Sequence, residues 1–151
     1  SEDQSSEDWI EPFRDIYRDV CVEHVQPYDG IESWLDYLGP RRALVTNKPL
    51  SMTNPILEKL GWEHLFDRVL GPSSVEQPKP HPQPLELVMK HWDTDPSEVV
   101  MVGDNWTDIK AGKQAGTVTA GCLYGLGHTE QLREQSPDHL INSPSELFEL
   151  V

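Results

Sequence analysis

Positive charge is what this sequence has least of. Twelve lysines and arginines stand against 26 aspartates and glutamates, a formal net charge of −14 over 151 residues. Nucleic acids and anionic membrane surfaces are bound through basic patches, so neither is an expected partner. An anionic substrate would have to be held locally, by a lysine or a metal ion working against the overall field. Cysteine is nearly absent as well. Cys21 and Cys122 have neither metal-ligand nor redox spacing, which argues against a disulfide scaffold and fits a reducing, cytoplasmic setting. No apolar run approaches the ~20 residues of a membrane-spanning helix. Internal repeats and coiled-coil heptads are missing too. The histidines, among them His81, His91 and His128, lack zinc spacing and read as surface or loop residues. The opening run SEDQSSED carries no methionine, and a processed or truncated N-terminus is the expectation there.

What is present concentrates in Val99–Gly116, VVMVGDNWTDIKAGKQAG. Val99 to Val102 are apolar β-formers and predict a fully buried strand. The strand breaks at Gly103 and delivers Asp104 and Asp108 into the following turn. A helix from Ile109 to Ala115 then ends on Gly116, a C′ glycine. Carboxylates at the C-terminal edge of a strand in an α/β sheet sit where such folds bind ligands. Paired there, they suit a hard cation such as Mg²⁺, which prefers oxygen ligands and keeps several waters. Asp108 taken alone is equally an acidic first-turn residue complementing the helix dipole.

The remaining pattern alternates helices and strands. Trp9 to Gln26 is a helix with a narrow apolar stripe at Phe13, Ile16, Tyr17, Val20 and Cys21. A turn at Pro27, Asp29 and Gly30 leads to a second helix, Ile31 to Leu38. Strands are expected at Ala43–Thr46, Arg68–Gly71, Thr117–Cys122 and near Leu140, with helices around Pro55–Leu60 and from Pro82 or Pro84 through Trp92. Pro78-Lys79-Pro80-His81-Pro82 is too rich in proline for helix or sheet and predicts an extended loop. Tyr124 to His128 is glycine-rich and reads as a plain turn. Ser143-Pro144-Ser145-Glu146 has the form of a capping box opening a final helix. The fold class is therefore α/β: a Rossmann-like, three-layer parallel sheet.

Three strand-end motifs now line up: Thr46 in LVTNKP, Lys79 in QPKPHP, and the Asp104/Asp108 pair. In this order and spacing the chain resembles the haloacid dehalogenase superfamily, most closely its phosphoglycolate-phosphatase-like branch, over roughly residues 9 to 151. The resemblance implies phosphoryl transfer through an aspartyl-phosphate, with Mg²⁺ neutralising charge between nucleophile and phosphate. It implies that Thr46 hydrogen-bonds a phosphoryl oxygen, with Asn47 an amide donor beside it. It likewise implies that Lys79 offsets developing negative charge, that Asp104 ligates the metal, and that Asp108 orients Lys79 or the metal's waters. The expected substrate is a small phosphorylated metabolite, phosphoglycolate being the first candidate.

One departure from the family is large. Its first motif, an Asp-x-Asp at the end of the first strand, supplies nucleophile and general acid. Here Asp93-Thr94-Asp95 follows a helix, precedes Pro96 and has no apolar strand before it, so it reads as a turn with an N-cap. The expected organisation is an N-terminally truncated one. Residues 1–26 would form an acidic tail and the last helix of a cap domain, and 27–151 a haloacid-dehalogenase-like core lacking its first strand. That strand lies centrally in the family, between those bearing Thr46 and Asp104, so two inner strand edges should be left unpaired or forced together. The alternative is a non-catalytic remnant, a phosphate- or metal-binding module. A phospho-receiver domain uses similar residues but places its acids first, before the threonine and lysine. An EF-hand loop starting at Asp104 fails because Ile109 stands where glycine is required.

Overall fold

The computed structural model describes residues 7–151, with side chains described from Arg14 onward; the acidic residues 1–6 of the expected tail lie outside them. Helix α1 spans Glu7–His24. Of its expected stripe, Phe13 lies outside the described side chains, Ile16, Tyr17 and Val20 are 65, 48 and 49% exposed, and Cys21 is partly buried. Gly30, at φ 91°, turns the chain into α2, Ile31–Tyr37. Among the described residues no helix is long and apolar enough to cross a membrane.

Strand β1, Ala43–Val45, pairs in parallel with β2, Arg68–Leu70. The connecting helix α3, Leu50–Leu60, starts well before the expected Pro55, which sits inside it. The first turn is held without Pro55: the Thr53 hydroxyl donates toward the Pro49 and Lys48 carbonyls at 3.2 and 3.4 Å. Pro55 still forgoes the bond its missing N–H would have made to Ser51 O and crowds that carbonyl with its ring. Helix α4, Gln83–Trp92, opens between Pro82 and Pro84 as expected. Strand β3, Val100–Gly103, leads into α5, which runs Trp106–Ala115 rather than starting at Ile109. Strand β4, Val118–Cys122, is followed by a helix the pattern did not foretell, α6, Thr129–Glu134, and then by β5, His139–Ile141. A 3₁₀ segment, Pro144–Leu150, closes the chain in place of the expected α-helix. Its capping box is not formed. The Glu146 carboxylate accepts from Asn142 N at 3.0 Å, and the Ser143 hydroxyl pairs with that of Ser145 at 2.8 Å.

Strands β3, β4 and β5 form a second parallel sheet, with Val102 opposite Ala120 and Gly121 opposite Leu140. Side-chain alternation along β3 builds the three layers. Val100 and Val102 pack with Ala120, Cys122, Ile141, Leu147 and Trp34 on one face. Val99 and Met101 pack with Leu85, Met89 and Ala111 from α4 and α5 on the other.

Among the described residues no ladder joins β1 to β3, one of the two arrangements expected for these edges. A slot of about 600 Å³ separates them, walled by Leu44 and Val45, by Val100 and Val102, and by Trp34 and Val88. Arg42 O accepts from Asp67 N and Thr46 N donates to Leu70 O, at 3.0 and 2.9 Å. Strand alternation therefore turns the backbone of Ala43 and Val45 toward the slot. The bond from Val118 N to Val99 O, 2.9 Å, does the same for Val100 and Val102 on the far side. Two buried donors bordering the slot, Trp34 Nε1 and Arg42 Nε, have no partner among the described residues. Such groups are costly to leave unmade.

Asp138 ties β4 to the start of β5. Its carboxylate meets Lys113 Nζ at 2.9 Å and accepts from Thr119 N and Oγ1 at 2.8 and 2.7 Å. The Lys113 ammonium first, then the two Thr119 donors, hold this carboxyl well below the usual range. A depressed folded value means the stabilisation is present above the unfolded value, ~3.9, and disappears as pH falls toward the folded one. Asp138→Asn is therefore expected to cost about 1 kcal/mol at pH 7, discounted for a pair this exposed. The gap from the parent should close below about pH 4, as read by urea denaturation across pH. A gap independent of pH would remove the charge from the explanation.

Candidate active site

Lys79 joins the two sheets at one edge. Its proline-framed loop drives the side chain inward until only 8% of the residue is exposed. There the ammonium donates to Val45 O, at the end of β1, at 2.7 Å and to Asp108 Oδ1 at 2.5 Å. Val45 ends one strand and Asp108 follows the other, so β1 and β3 point their C-terminal ends at the same place. A lysine has three donors and no acceptor, which leaves one N–H for an incoming oxygen.

Asp108 is itself buried, 7% exposed. Asn105 caps α5 by accepting from Thr107 N at 3.2 Å, and Asp108 Oδ2 reaches back to Asn105 N at 3.0 Å. The capping role and the chemical one thus coexist: one oxygen fixes the helix start, the other holds Lys79. Gly103 makes this possible, because a Cβ there would overlap the Asp108 carboxyl. Each Asp108 oxygen thus already accepts one hydrogen bond, Oδ1 from Lys79 Nζ and Oδ2 from Asn105 N.

Thr46 follows β1 directly. Its Oγ1 accepts from Lys48 N at 3.0 Å, which fixes the oxygen and leaves the hydroxyl proton available. Asn47 lies beside it, but its amide donates to Lys79 O at 2.7 Å. It ties the Thr46 turn to the lysine loop, and as a donor to a ligand it would have to give up that bond.

Asp104 follows Gly103 at the end of β3. Its Oδ2 accepts from Leu126 N at 2.8 Å and Gly127 N at 3.3 Å. The glycine-rich segment read as a plain turn is thus corrected: its backbone folds onto the acid. Among the described residues the other oxygen, Oδ1, takes no hydrogen bond. No group of three or more His, Cys, Asp or Glu able to hold a metal occurs among the described residues. The donor set still fits a hard cation in part. Asp104 presents one free carboxylate oxygen, and a phosphate brought beside it meets a negative charge that a bound cation would offset.

Asp93 and Asp95 are elsewhere. Asp93 ends α4 in the left-handed region at φ 50°, and Asp95 begins the short turn before β3, where its N–H meets Glu98 Oε2 at 3.4 Å. They lie at the entry to β3, whereas Asp104 lies at its exit. Sequence reasoning missed the Val45 carbonyl and the Leu126 and Gly127 amides because backbone groups carry no residue signature. The one available signal was a pair of glycines two apart, just past a strand end.

A family model described as haloacid dehalogenase-like hydrolase matches residues 1–122. N-acetylmuramic acid 6-phosphate phosphatase of Pseudomonas aeruginosa is 35% identical over 150 residues, covering 94% of this chain and 66% of that protein. Phosphoglycolate phosphatase of Haemophilus influenzae is 35% identical over 144 residues, covering 93% of this chain and 64% of its own length. The chain therefore spans just under two thirds of these curated relatives. A crystal structure of a predicted phosphoglycolate phosphatase from Haemophilus somnus superposes with TM-score 0.77 at 30% identity, over 83% of this chain and 57% of that one.

Proposed function

Because the chain belongs to the haloacid dehalogenase-like hydrolase family, we propose that it forms the core of a Mg²⁺-dependent phosphatase acting on a small phosphate monoester, phosphoglycolate first among candidates. The observation that carries this reading is the meeting at one sheet edge of a buried lysine with a spare N–H, a hydroxyl with a spare proton, and a carboxylate with one free oxygen. The names of the relatives support the substrate class, since those proteins are phosphatases of small phosphorylated compounds.

Lys79 and Thr46 hold phosphoryl oxygens, Lys79 gaining as negative charge develops. Asp104 would hold Mg²⁺ through Oδ1, and the ion, when bound, supplies charge neutralisation between nucleophile and phosphate. The nucleophile comes from a strand in the slot, parallel to β1 and β3, whose C-terminal end arrives beside Lys79. A carboxylate oxygen of that strand attacks phosphorus, the bond from phosphorus to the ester oxygen breaks, and a second acid of the strand protonates the leaving alcohol. Water, giving its proton to the second acid, then cleaves the acyl phosphate, releasing inorganic phosphate and restoring both carboxyl groups to their starting states. Helix α1 is the last helix of a cap, which fits the exposure of its apolar stripe. A cytoplasmic setting fits the sparse, unpaired cysteines.

The 151-residue chain alone should hydrolyse a generic phosphate ester with Mg²⁺ no faster than background. Adding an apolar strand peptide ending in Asp-x-Asp should produce turnover that Lys79→Ala abolishes. A bound peptide without turnover would leave only a phosphate- and metal-binding module. Turnover by the chain alone, lost in Asp93→Asn or Asp95→Asn, would instead place the nucleophile before β3.

A further inference from the structure

The segment Gly125-Leu126-Gly127 is built to approach Asp104 more closely than side chains permit. A Cβ at Gly125 would overlap the Asp104 carboxyl, and one at Gly127 would overlap the Asp104 carbonyl oxygen. Neither glycine has a positive φ, so steric room, not conformational freedom, is what the two positions require. The result is a pair of successive amides, Leu126 N and Gly127 N, converging on a single oxygen, Oδ2. Successive backbone N–H groups aimed at one point make an anion-binding concavity. Here the anion is the protein's own carboxylate.

The segment is anchored at both ends. Upstream, Tyr124 packs against the Ala120, Cys122, Ile141 and Leu147 cluster and meets the Tyr28 ring edge-on, centroids 5.1 Å apart. Burial, and then its Cys122 neighbour, push the Tyr124 hydroxyl pKa upward, so it remains a neutral packing group. Downstream, His128 O accepts from Leu132 N at 3.0 Å, and Leu132 is fully buried. Between these anchors the Leu126 side chain is 95% exposed. Residue 126 therefore contributes through its backbone and not through packing.

We propose that the 125–127 loop is a positioning clamp for Asp104: it fixes Oδ2 and thereby aims Oδ1 at the cation position. The inference rests on the proposed role of Asp104 as metal ligand. A carboxylate on a free Cα–Cβ bond can rotate either oxygen toward a cation; a clamped one cannot. Fixing the ligand beforehand removes an ordering cost from cation binding. Outer hydrogen bonds of this kind are worth roughly 10–100-fold in metal affinity. The clamp also works through backbone donors, which cannot ionise, so its hold does not depend on the state of a neighbouring side chain.

The test uses the full 151-residue chain, ¹⁵N-labelled, titrated with Mg²⁺ and followed through the amide signals of residues 104, 126 and 127. Gly125→Ala and Gly127→Ala should each weaken Mg²⁺ binding by roughly 10–100-fold. Gly39→Ala should match the parent, since a Cβ there meets nothing within 4 Å. Amide exchange supplies a reading that needs no metal. Asp104→Ala should speed exchange at Leu126 and Gly127 while leaving the amides of β4 unchanged. Equal exchange at 126 and 127 in parent and Asp104→Ala overturns the clamp. So does Mg²⁺ binding that Asp104→Asn abolishes but both glycine variants retain at parental strength. A parent chain that shows intact protection at 126 and 127 but no Mg²⁺ response overturns the metal-ligand reading, and with it the clamp's purpose.

Discussion

Lys79→Ala should destabilise the fold by about 3–5 kcal/mol, the cost of leaving a buried charge without its partner. Asp108 is the group left behind. Its Oδ2 keeps the Asn105 N–H, but Oδ1 loses the ammonium at a position only 7% exposed. The Val45 carbonyl loses its donor in the same step. The effect should be strongly non-additive. Pairing Lys79→Met with Asp108→Asn removes both charges and should recover a large part of the loss, giving a coupling energy well above the few tenths expected of separate sites. Chemical denaturation of the two single variants and the double variant at pH 7 measures this. A loss below about 1 kcal/mol for Lys79→Ala would be the behaviour of a surface pair and would contradict the burial. With an Asp-x-Asp strand peptide bound, the same substitution should lower kcat far more than it raises KM if Lys79 meets, as proposed, a charge that grows in the transition state.

The second large effect is expected from filling the slot. A peptide of apolar β-branched residues ending in Asp-x-Asp can take backbone bonds from both edges, Ala43 and Val45 on one side and Val100 and Val102 on the other. At a free concentration 100 times its dissociation constant, such a ligand stabilises the folded state by about 2.7 kcal/mol, read as a rise in thermal midpoint. The control is the same peptide with proline at its centre, which cannot serve as an inner strand. Equal shifts from both peptides would mean that the slot binds apolar matter without strand geometry. No shift from either would mean that the edges are not available.

Much of the site was legible because its chemistry-bearing residues sit at breaks in pattern. Asp104 and Asp108 follow an apolar run that ends at Gly103, and Lys79 is framed by prolines that exclude helix and sheet. The split between β1 and β3 was legible for a related reason: a motif expected at a strand end had no strand to carry it. Where side-chain letters do not encode the interaction, the reading failed. The Asp104 contact is made by amides of Leu126 and Gly127, and the glycines that admit it look like ordinary turn residues. Helix α6 buries little besides Leu132 and so shows no periodic stripe. The helix expected around Pro55–Leu60 begins earlier, at Leu50, where the Thr53 hydroxyl and the Pro49 carbonyl hold its first turn. At 143–146 the capping-box letters are present, but Glu146 finds the Asn142 amide instead. Local propensity was outcompeted by a neighbouring donor.

The missing ladder between β1 and β3 also bears on how the molecule comes apart. In a continuous sheet, opening one strand breaks hydrogen bonds shared with the next, and the whole sheet tends to open as one. Here β1, β2 and α3 share no such bonds with β3, β4 and β5. Cohesion between the two blocks is carried by α4, whose Leu85 and Met89 pack with both Val45 and Met101, and by the Lys79 ammonium bridging Val45 and Asp108. The blocks are thus candidate foldons with separate opening free energies, the two-stranded one the lower because its strands are short and few. Thr46, which belongs to that weaker block, is then tied to the Asp108 turn by the same lysine proposed to meet the phosphate.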